Sequence, residues 1–385
     1  MSYYYKLGAI PHKRHTQFRQ PDGSLYHEEL ISVQGFSGVQ SLLYHLRPPT
    51  QVYKVLSHQD TKIAYEQSSA LQHRHLRTAD VTAGGDAIAA RIPLLVNADI
   101  CISVARPTEP MSYWYRFAHG DEVIFIHQGT GILESQYGVL PYRPGDYLVI
   151  PTGVLWRILP DAEIEQRMLA IEAQGHIEPP QRYLNRYGQF LEHAPYCERD
   201  IRPPQNLVAH DAAGEFEVQI KTQGCITHYL YHYHPLDVVG WDGHLYPYAL
   251  NIEDFEPITG RVHQPPPVHQ TFAATGFVIC SFVPRLFDYH PLAIPAPYNH
   301  SNVDSDEVLY YAAGNFMSRR GIEEASITVH PSGIPHGPHP GMYEESIDKE
   351  RTDELAVMID TFRPLKLTAQ ATHLEDLNYL YSWSA

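Results

Sequence analysis

The chain has 385 residues and 43% hydrophobic content, enough to bury at least one large core and, by length, to form two domains. A formal charge of −16 at pH 7, with dispersed Lys and Arg, excludes nucleic acid as a partner, because phosphate binding needs clustered cations. No apolar run approaches the ~20 residues that cross a bilayer, and MSYYYKLGAIPHKRHTQFRQ lacks the apolar core of a secretory signal, so the expected location is cytoplasmic, with no membrane partner.

In chain order, DEVIFIHQG (121–129) and GDYLVIPTG (145–153) come first, as short β-rich runs bounded by Gly, Pro or Asp. At 181–194, QRYLNRYGQFLEHA has apolar residues at three- and four-residue steps, which predicts a helix, set in a Pro- and charge-rich stretch that reads as a connector. EVQIKTQG, GFVICSFVP, DEVLYYAAGNFMSR, ASITVHPSG and DELAVMIDT follow, again short and punctuated. The sum is an all-β sandwich or barrel protein with little helix. Four separated cysteines, Cys101, Cys197, Cys225 and Cys280, contain no CxxC pair and read as buried thiols. The 24 His, 31 Pro and 27 Tyr suit proline-bounded turns around a polar, metal-capable interior.

An internal duplication organises the chain. FAHGDEVIFIHQG is followed by YRPGDYLVIPTGVLWRI, and HSNVDSDEVLYYAAG by ASITVHPSGIPHGP. Each pair runs Glu, six residues, Gly, then Pro-x-Gly-x-x and a bulky ring. This resembles the two-motif signature of cupins, so the expected fold is a bicupin of two jelly-roll barrels. The expected units are an N-terminal barrel over 1–180, a connector with a short helix over 181–235, and a second barrel over 236–385 that carries the chemistry.

In the second half, cupin spacing brings together His300, Asn302 and Glu307, with Gly314 closing the turn and His336 arriving in PSGIPHGP. Two imidazoles and a carboxylate occupy one face of an octahedron and leave positions for substrate and O₂, the arrangement of non-haem Fe(II) oxygenases, although zinc accepts similar ligands. Singly, His300 reads as a turn cap, Glu307 as a strand-edge acid and His336 as a loop histidine; jointly, at this spacing, they read as a metal site. Asp304 and Asp306 read as solvated loop acids. In the first half, Tyr115, Phe117 and Trp156 stand at the histidine positions and Glu122 remains alone, so that barrel is expected to be metal-free and structural.

DVVGWDGHLYPYALNIEDFEPITGR (237–261), HPLAIPAPYNHSN and PHGP together resemble the homogentisate 1,2-dioxygenase family. The resemblance implies Fe(II) held by His300, Glu307 and His336, a small aromatic diol and O₂ as reactants, and assembly into a trimer or hexamer. It also implies a histidine acid/base from VHQPPPVHQTF, for which His269, nearer the strand GFVICSF, stands ahead of His263. The segment from His300 to Glu307 is one residue longer than in the better-known eukaryotic members, and VDSDE has no counterpart there. Tyr298, two residues before His300, is a further catalytic candidate, placed by strand alternation to donate to a substrate oxygen; Tyr298, Asn302, Tyr289, Tyr246 and Tyr248 are candidate contacts for the substrate, with Arg285 or Arg319 as counter-ion for its carboxylate. The competing expectations are a cupin dioxygenase for gentisate or another dihydroxybenzene, and a bicupin that binds a metal or ligand without turnover. A phosphosugar isomerase ranks last, since only Arg319 and Arg320 lie between His300 and His336.

Overall fold

The computed structural model describes residues 3–384 apart from 68, 69, 265, 317, 318 and 320; Arg320 therefore lies outside the described residues. Among them the protein is nearly all β, with one short α-helix at Met342–Ser346, as the punctuated runs predict. No helix of the described residues is long and apolar enough to cross a membrane.

The first barrel sets Asp146–Ile150, Glu122–Gln128, Arg167–Ala173 and Ile100–Ala105 in one sheet, opposite Gly138–Tyr142, Gly131–Ser135, Trp156–Pro160 and Trp114–Phe117 in another. The second half is built on Gln270–Ala274, Phe277–Phe282, Leu355–Thr361, Asp306–Ala313 and Ile327–His330. Asp146–Ile150 is buried throughout, and the first five residues of Glu122–Gln128 and the first seven of Asp306–Ala313 are buried too. The reason is that the two large sheets pack face to face. Tyr147 Oη lies 2.9 Å from Ser281 Oγ, and His127 Nδ1 lies 2.6 Å from Tyr310 Oη. A strand sandwiched between a barrel interior and a second sheet has no wet face, so its sequence shows a continuous apolar run rather than alternation. The motif glycines Gly129 (φ 105°) and Gly314 (φ 91°) both take backbone conformations that favour glycine.

Strand pairs cross the boundaries expected at 180 and 235. Val238–Gly243 pairs with Tyr5–Gly8 and Gln40–His45, and Tyr248–Asn251 lies beside Asp146–Ile150. In the other direction Arg74–Leu76 pairs with Ile327–His330. An open sheet edge carries unpaired backbone donors and acceptors, and here each half covers an edge of the other.

The helix expected over 181–194 is replaced by a single 3₁₀ turn, Gln181–Tyr183, followed by turns. Asn185 Oδ1 accepts from the amides of Tyr187 (2.8 Å) and Gln189 (3.2 Å), a local alternative that competes with helical bonding. The remainder of the expected connector holds a long hairpin, Ala213–Thr222 and Cys225–Tyr233, which runs beside Trp114–Phe117 and is edged by Lys54–Asp60.

Candidate metal centre

Glu307 occupies the second position of the central strand Asp306–Ala313, with His330 directly opposite on one neighbouring strand and Asp360 opposite on the other. Cross-strand partners at the same register share a sheet face, so all three side chains gather at one place. His300 and His336 reach it from the opposite wall. They form a two-way backbone bridge, His300 N to His336 O at 2.8 Å and His336 N to His300 O at 2.9 Å, which sets their rings 4.2 Å apart. A Cβ on Gly337 would fall 2.0 Å from Asn299 Oδ1, which explains the glycine of PHGP.

His300 Nε2 lies 3.4 Å from Glu307 Oε2, and His336 Nε2 lies 3.3 Å from Glu307 Oε1. One donor atom from each of the three residues falls within 4.8 Å of the others. Metal–ligand bonds of about 2.1 Å at right angles put donor atoms about 3 Å apart, so the spacing suits a single divalent ion. His336 adds an independent observation: it is buried, and among the described residues neither ring nitrogen makes a well-directed hydrogen bond, the 3.3 Å approach of Nε2 to Glu307 being an ion-pair contact. Orphaned buried nitrogens are rare in native structures, and an ion at Nε2 would supply the missing partner.

His330, which sequence reasoning missed, is fully buried and stacked on His336 at 4.5 Å. Its Nδ1 lies 2.8 Å from Glu307 Oε1 and its Nε2 3.2 Å from Tyr379 Oη, so it fixes the orientation of the carboxylate. Burial pushes the His330 imidazole down to about 3, aided by the charge of Arg319, against the pull of Glu307. Burial alone would raise Glu307, but its close contacts with the His300, His330 and His336 imidazoles hold it well below the usual carboxylate range. Asp360 is pushed up to about 7 by burial and by the negative charge of Glu307, and its Oδ1 has no hydrogen-bond partner among the described residues.

His300, Glu307 and Asp360 line a cavity of about 230 Å³. Asn302, Tyr298, His263 and His269 all line it, as do Arg285 and Arg319. Tyr298 is 51% exposed at the mouth and meets His263 edge-on at 4.9 Å. His269 is buried against Phe282 with its Nδ1 unpartnered; burial, then the charge of Arg285, pushes it down to about 3. The one hydrogen bond of Arg285 among the described residues goes to Val283 O at 3.3 Å, and burial lowers its pKa.

Three expectations do not hold. Tyr289 is 71% exposed and lies off the cavity wall, because its segment turns outward after Arg285–Leu286. Tyr246 and Tyr248 are core residues among the N-terminal strands, with Tyr246 Oη bonded to Tyr3 O at 2.7 Å. Asp306 is buried rather than solvated; it accepts from the amides of Ser332 (2.9 Å) and Leu365 (2.7 Å) and ties two loops to the strand. Asp304 is exposed.

In the first barrel, the corresponding glutamate meets cations from the chain itself. Glu122 Oε1 accepts from Arg91 Nη1 at 2.7 Å, Arg91 also donates to Glu172 at 2.8 Å, and Lys221 Nζ lies 2.7 Å from Glu172 Oε2. Tyr115, Phe117 and Trp156 are buried beside them.

A family model described as Homogentisate 1,2-dioxygenase N-terminal matches residues 31–252, ending before the ligand segment. A protein of Saccharolobus solfataricus, named as a candidate dioxygenase, is 41% identical over 100% of this chain and 99% of its own length. The homogentisate 1,2-dioxygenase of Nitrobacter hamburgensis is 25% identical over 68% of this chain and 60% of its own length. That of Emericella nidulans is 27% identical over 59% and 52%. The chain thus matches little more than half the length of these homogentisate 1,2-dioxygenases. Among solved structures, a cupin 2 conserved barrel domain protein of Leptotrichia buccalis is 11% identical with a TM-score of 0.32, over 81% of this chain and 98% of its own.

Proposed function

Because the chain belongs to the homogentisate 1,2-dioxygenase family, we propose that it is a non-haem Fe(II) dioxygenase that opens homogentisate with O₂ to maleylacetoacetate, a step of tyrosine and phenylalanine catabolism. The observation that carries this reading is the convergence of donor atoms of His300, Glu307 and His336 at one point, beside a cavity that His300 and Glu307 line, with buried His336 nitrogens that lack any other partner among the described residues. Fe(II) held by these three residues would supply a Lewis-acidic, redox-active centre with positions open to diol and O₂.

The chain's own residues supply the rest. His330 holds the Glu307 carboxylate in a fixed orientation. Arg285, half-buried on the cavity wall and without a carboxylate in ion-pair contact among the described residues, pairs with the acetate arm of the substrate. Phe282 and Met358 form apolar wall beside the ring and keep water out. The order expected of the two histidines is reversed in this reading. His269, with its pKa depressed to about 3, stays neutral and holds a substrate oxygen by a hydrogen bond. His263, exposed and packed on Tyr298, exchanges the proton of the second hydroxyl with solvent. The family resemblance supports a trimer or hexamer in the cytoplasm, which light scattering and cell fractionation would check.

Oxygen-electrode traces on Fe(II)-reconstituted protein with homogentisate, gentisate and catechol test the reading. Homogentisate should consume O₂ in equal amount to the ring opened and yield a strongly ultraviolet-absorbing diketo-acid, and catechol, lacking a carboxylate, should turn over poorly. Faster uptake with gentisate moves the assignment to another diol. Uptake with none of the three points to a bicupin without turnover.

A further inference from the structure

We propose that a second cavity, beneath the hairpin Ala213–Tyr233 in the N-terminal half, is a binding site for a small aromatic carboxylate, separate from the metal centre. It measures about 280 Å³ and shares no lining residue with the cavity at His300 and Glu307. Its volume lies at the lower end of the range of small-molecule pockets, roughly 300 Å³ upward.

The polar groups on its wall are incompletely partnered. Arg116, on Trp114–Phe117, makes one long hydrogen bond among the described residues, Nη2 to Gln136 Oε1 at 3.4 Å. Its buried Nε has no partner, and no carboxylate lies within ion-pair distance of it among the described residues. Gln136 is 2% exposed. Its Oε1 accepts from the Leu155 amide at 3.2 Å, which fixes the side-chain amide so that the Nε2 donor is the end left without a partner. A guanidinium and a buried amide donor on one wall, both short of acceptors, match a carboxylate.

The acids on this wall do not meet that need, because they are already engaged. His45 Nδ1 lies 2.6 Å from Asp237 Oδ1 and its Nε2 3.1 Å from Glu29 Oε2, and Asp237 Oδ2 accepts from the Arg47 amide at 2.9 Å. Arg47 is already paired with Asp211 and stacked on Tyr233, so among the cavity-lining cations it is Arg116 that has no carboxylate at ion-pair distance among the described residues. Tyr231 and Tyr233 stand on the same wall, and flat rings there favour an aromatic body over a bare oxyanion.

Calorimetric titration of the full-length, metal-loaded protein with benzoate, and separately with inorganic phosphate, tests the inference. Benzoate should bind once per chain. Arg116→Gln should weaken it by about tenfold to a hundredfold, the loss expected for hydrogen bonds to a charged group, with metal content unchanged. His336→Ala, which acts at the other cavity, should leave benzoate binding intact. Should Arg116→Gln fail to fold, Gln136→Glu offers an independent readout: it supplies Arg116 with an internal counter-ion, so it should raise the unfolding temperature and abolish benzoate binding. Binding that is lost in His336→Ala and kept in Arg116→Gln overturns the proposal by placing benzoate at the metal centre. Binding of phosphate in preference to benzoate overturns the aromatic class, and no heat with either anion overturns the site. None of these outcomes depends on turnover of a diol, so failure here is distinguishable from failure of the dioxygenase reading.

Discussion

His45→Gln is expected to change how stability depends on pH, and the size of the effect follows from the packing of that one ring. Burial alone would lower its pKa, but hydrogen bonds to Asp237 and then Glu29 raise it from 6.5 to about 9. A folded pKa above the unfolded one means that the folded state binds the proton more tightly. The stabilisation is therefore complete below about pH 6.5 and is lost as pH rises through about 9. A shift of about 2.5 units at roughly 1.4 kcal/mol per unit amounts to about 3 kcal/mol. The facing charged groups are Asp237, Glu29 and, acting on Glu29, Arg116. Glu29 itself is held below its ordinary value, so its contribution fails only on the acid side. Urea unfolding of wild type and His45→Gln at intervals from about pH 6 to pH 10 should show the wild-type advantage shrinking by about 3 kcal/mol as pH rises. An advantage that stays constant across that range would refute the argument that a protonated His45 holds Glu29 and Asp237 together.

His336→Ala should abolish metal retention through gel filtration, measured by elemental analysis, since two remaining ligands rarely hold a divalent ion; full metal content in the variant would remove His336 from the ligand set. His330→Gln keeps the three ligands but loosens Glu307, and metal affinity measured by competition with a chelator should fall about 10- to 100-fold. For the proton transfer, His263→Gln should keep its iron and lose about 10²–10⁴ in rate, while His269→Gln should act mainly on KM; the opposite split returns the acid/base role to His269. Arg91→Met strands Glu122 and Glu172 as buried charges with only Lys221 nearby, and should lower unfolding free energy by about 3–5 kcal/mol, whereas a loss under 1 kcal/mol would show that the network relaxes.

The convergence of His300, Glu307 and His336 was legible in the sequence because its cues are local: a histidine, a glutamate and a second histidine at motif spacing, with glycines where the backbone turns left-handed. His330 and Asp360 were not, although both flank Glu307 directly. Seeing them requires the register of two strand pairs, which no local pattern supplies. Asp306 was misread for the same reason, since the Leu365 amide that it holds is far along the chain. The all-β class followed from short punctuated runs, but the exchange of Arg74–Leu76 and Tyr248–Asn251 between halves depends on which sheet edges remain open after the barrels form. At 181–194 the apolar spacing suggested a helix, and the Asx turn at Asn185 won locally instead.

The two barrels begin from the same element, a glutamate at the start of a central strand, and diverge through what surrounds it. Around Glu122 and Glu172 the chain supplies its own cations, Arg91 and Lys221, at hydrogen-bonding distance, so two buried carboxylates meet two permanent positive charges. Around Glu307 the donors in contact are imidazoles, and His330, the one most deeply packed on it, is held neutral by burial. Glu307 is met instead by His300, whose pKa it raises, and at longer range by Arg319, and a second acid, Asp360, sits beside it, pushed up to about 7 by burial and by Glu307. Permanent cations in direct contact in the first barrel and imidazoles in direct contact in the second are alternative solutions to the same electrostatic problem. Imidazoles can coordinate where a guanidinium cannot, so under the proposed function only the second solution admits an exchangeable ion with a substrate beside it.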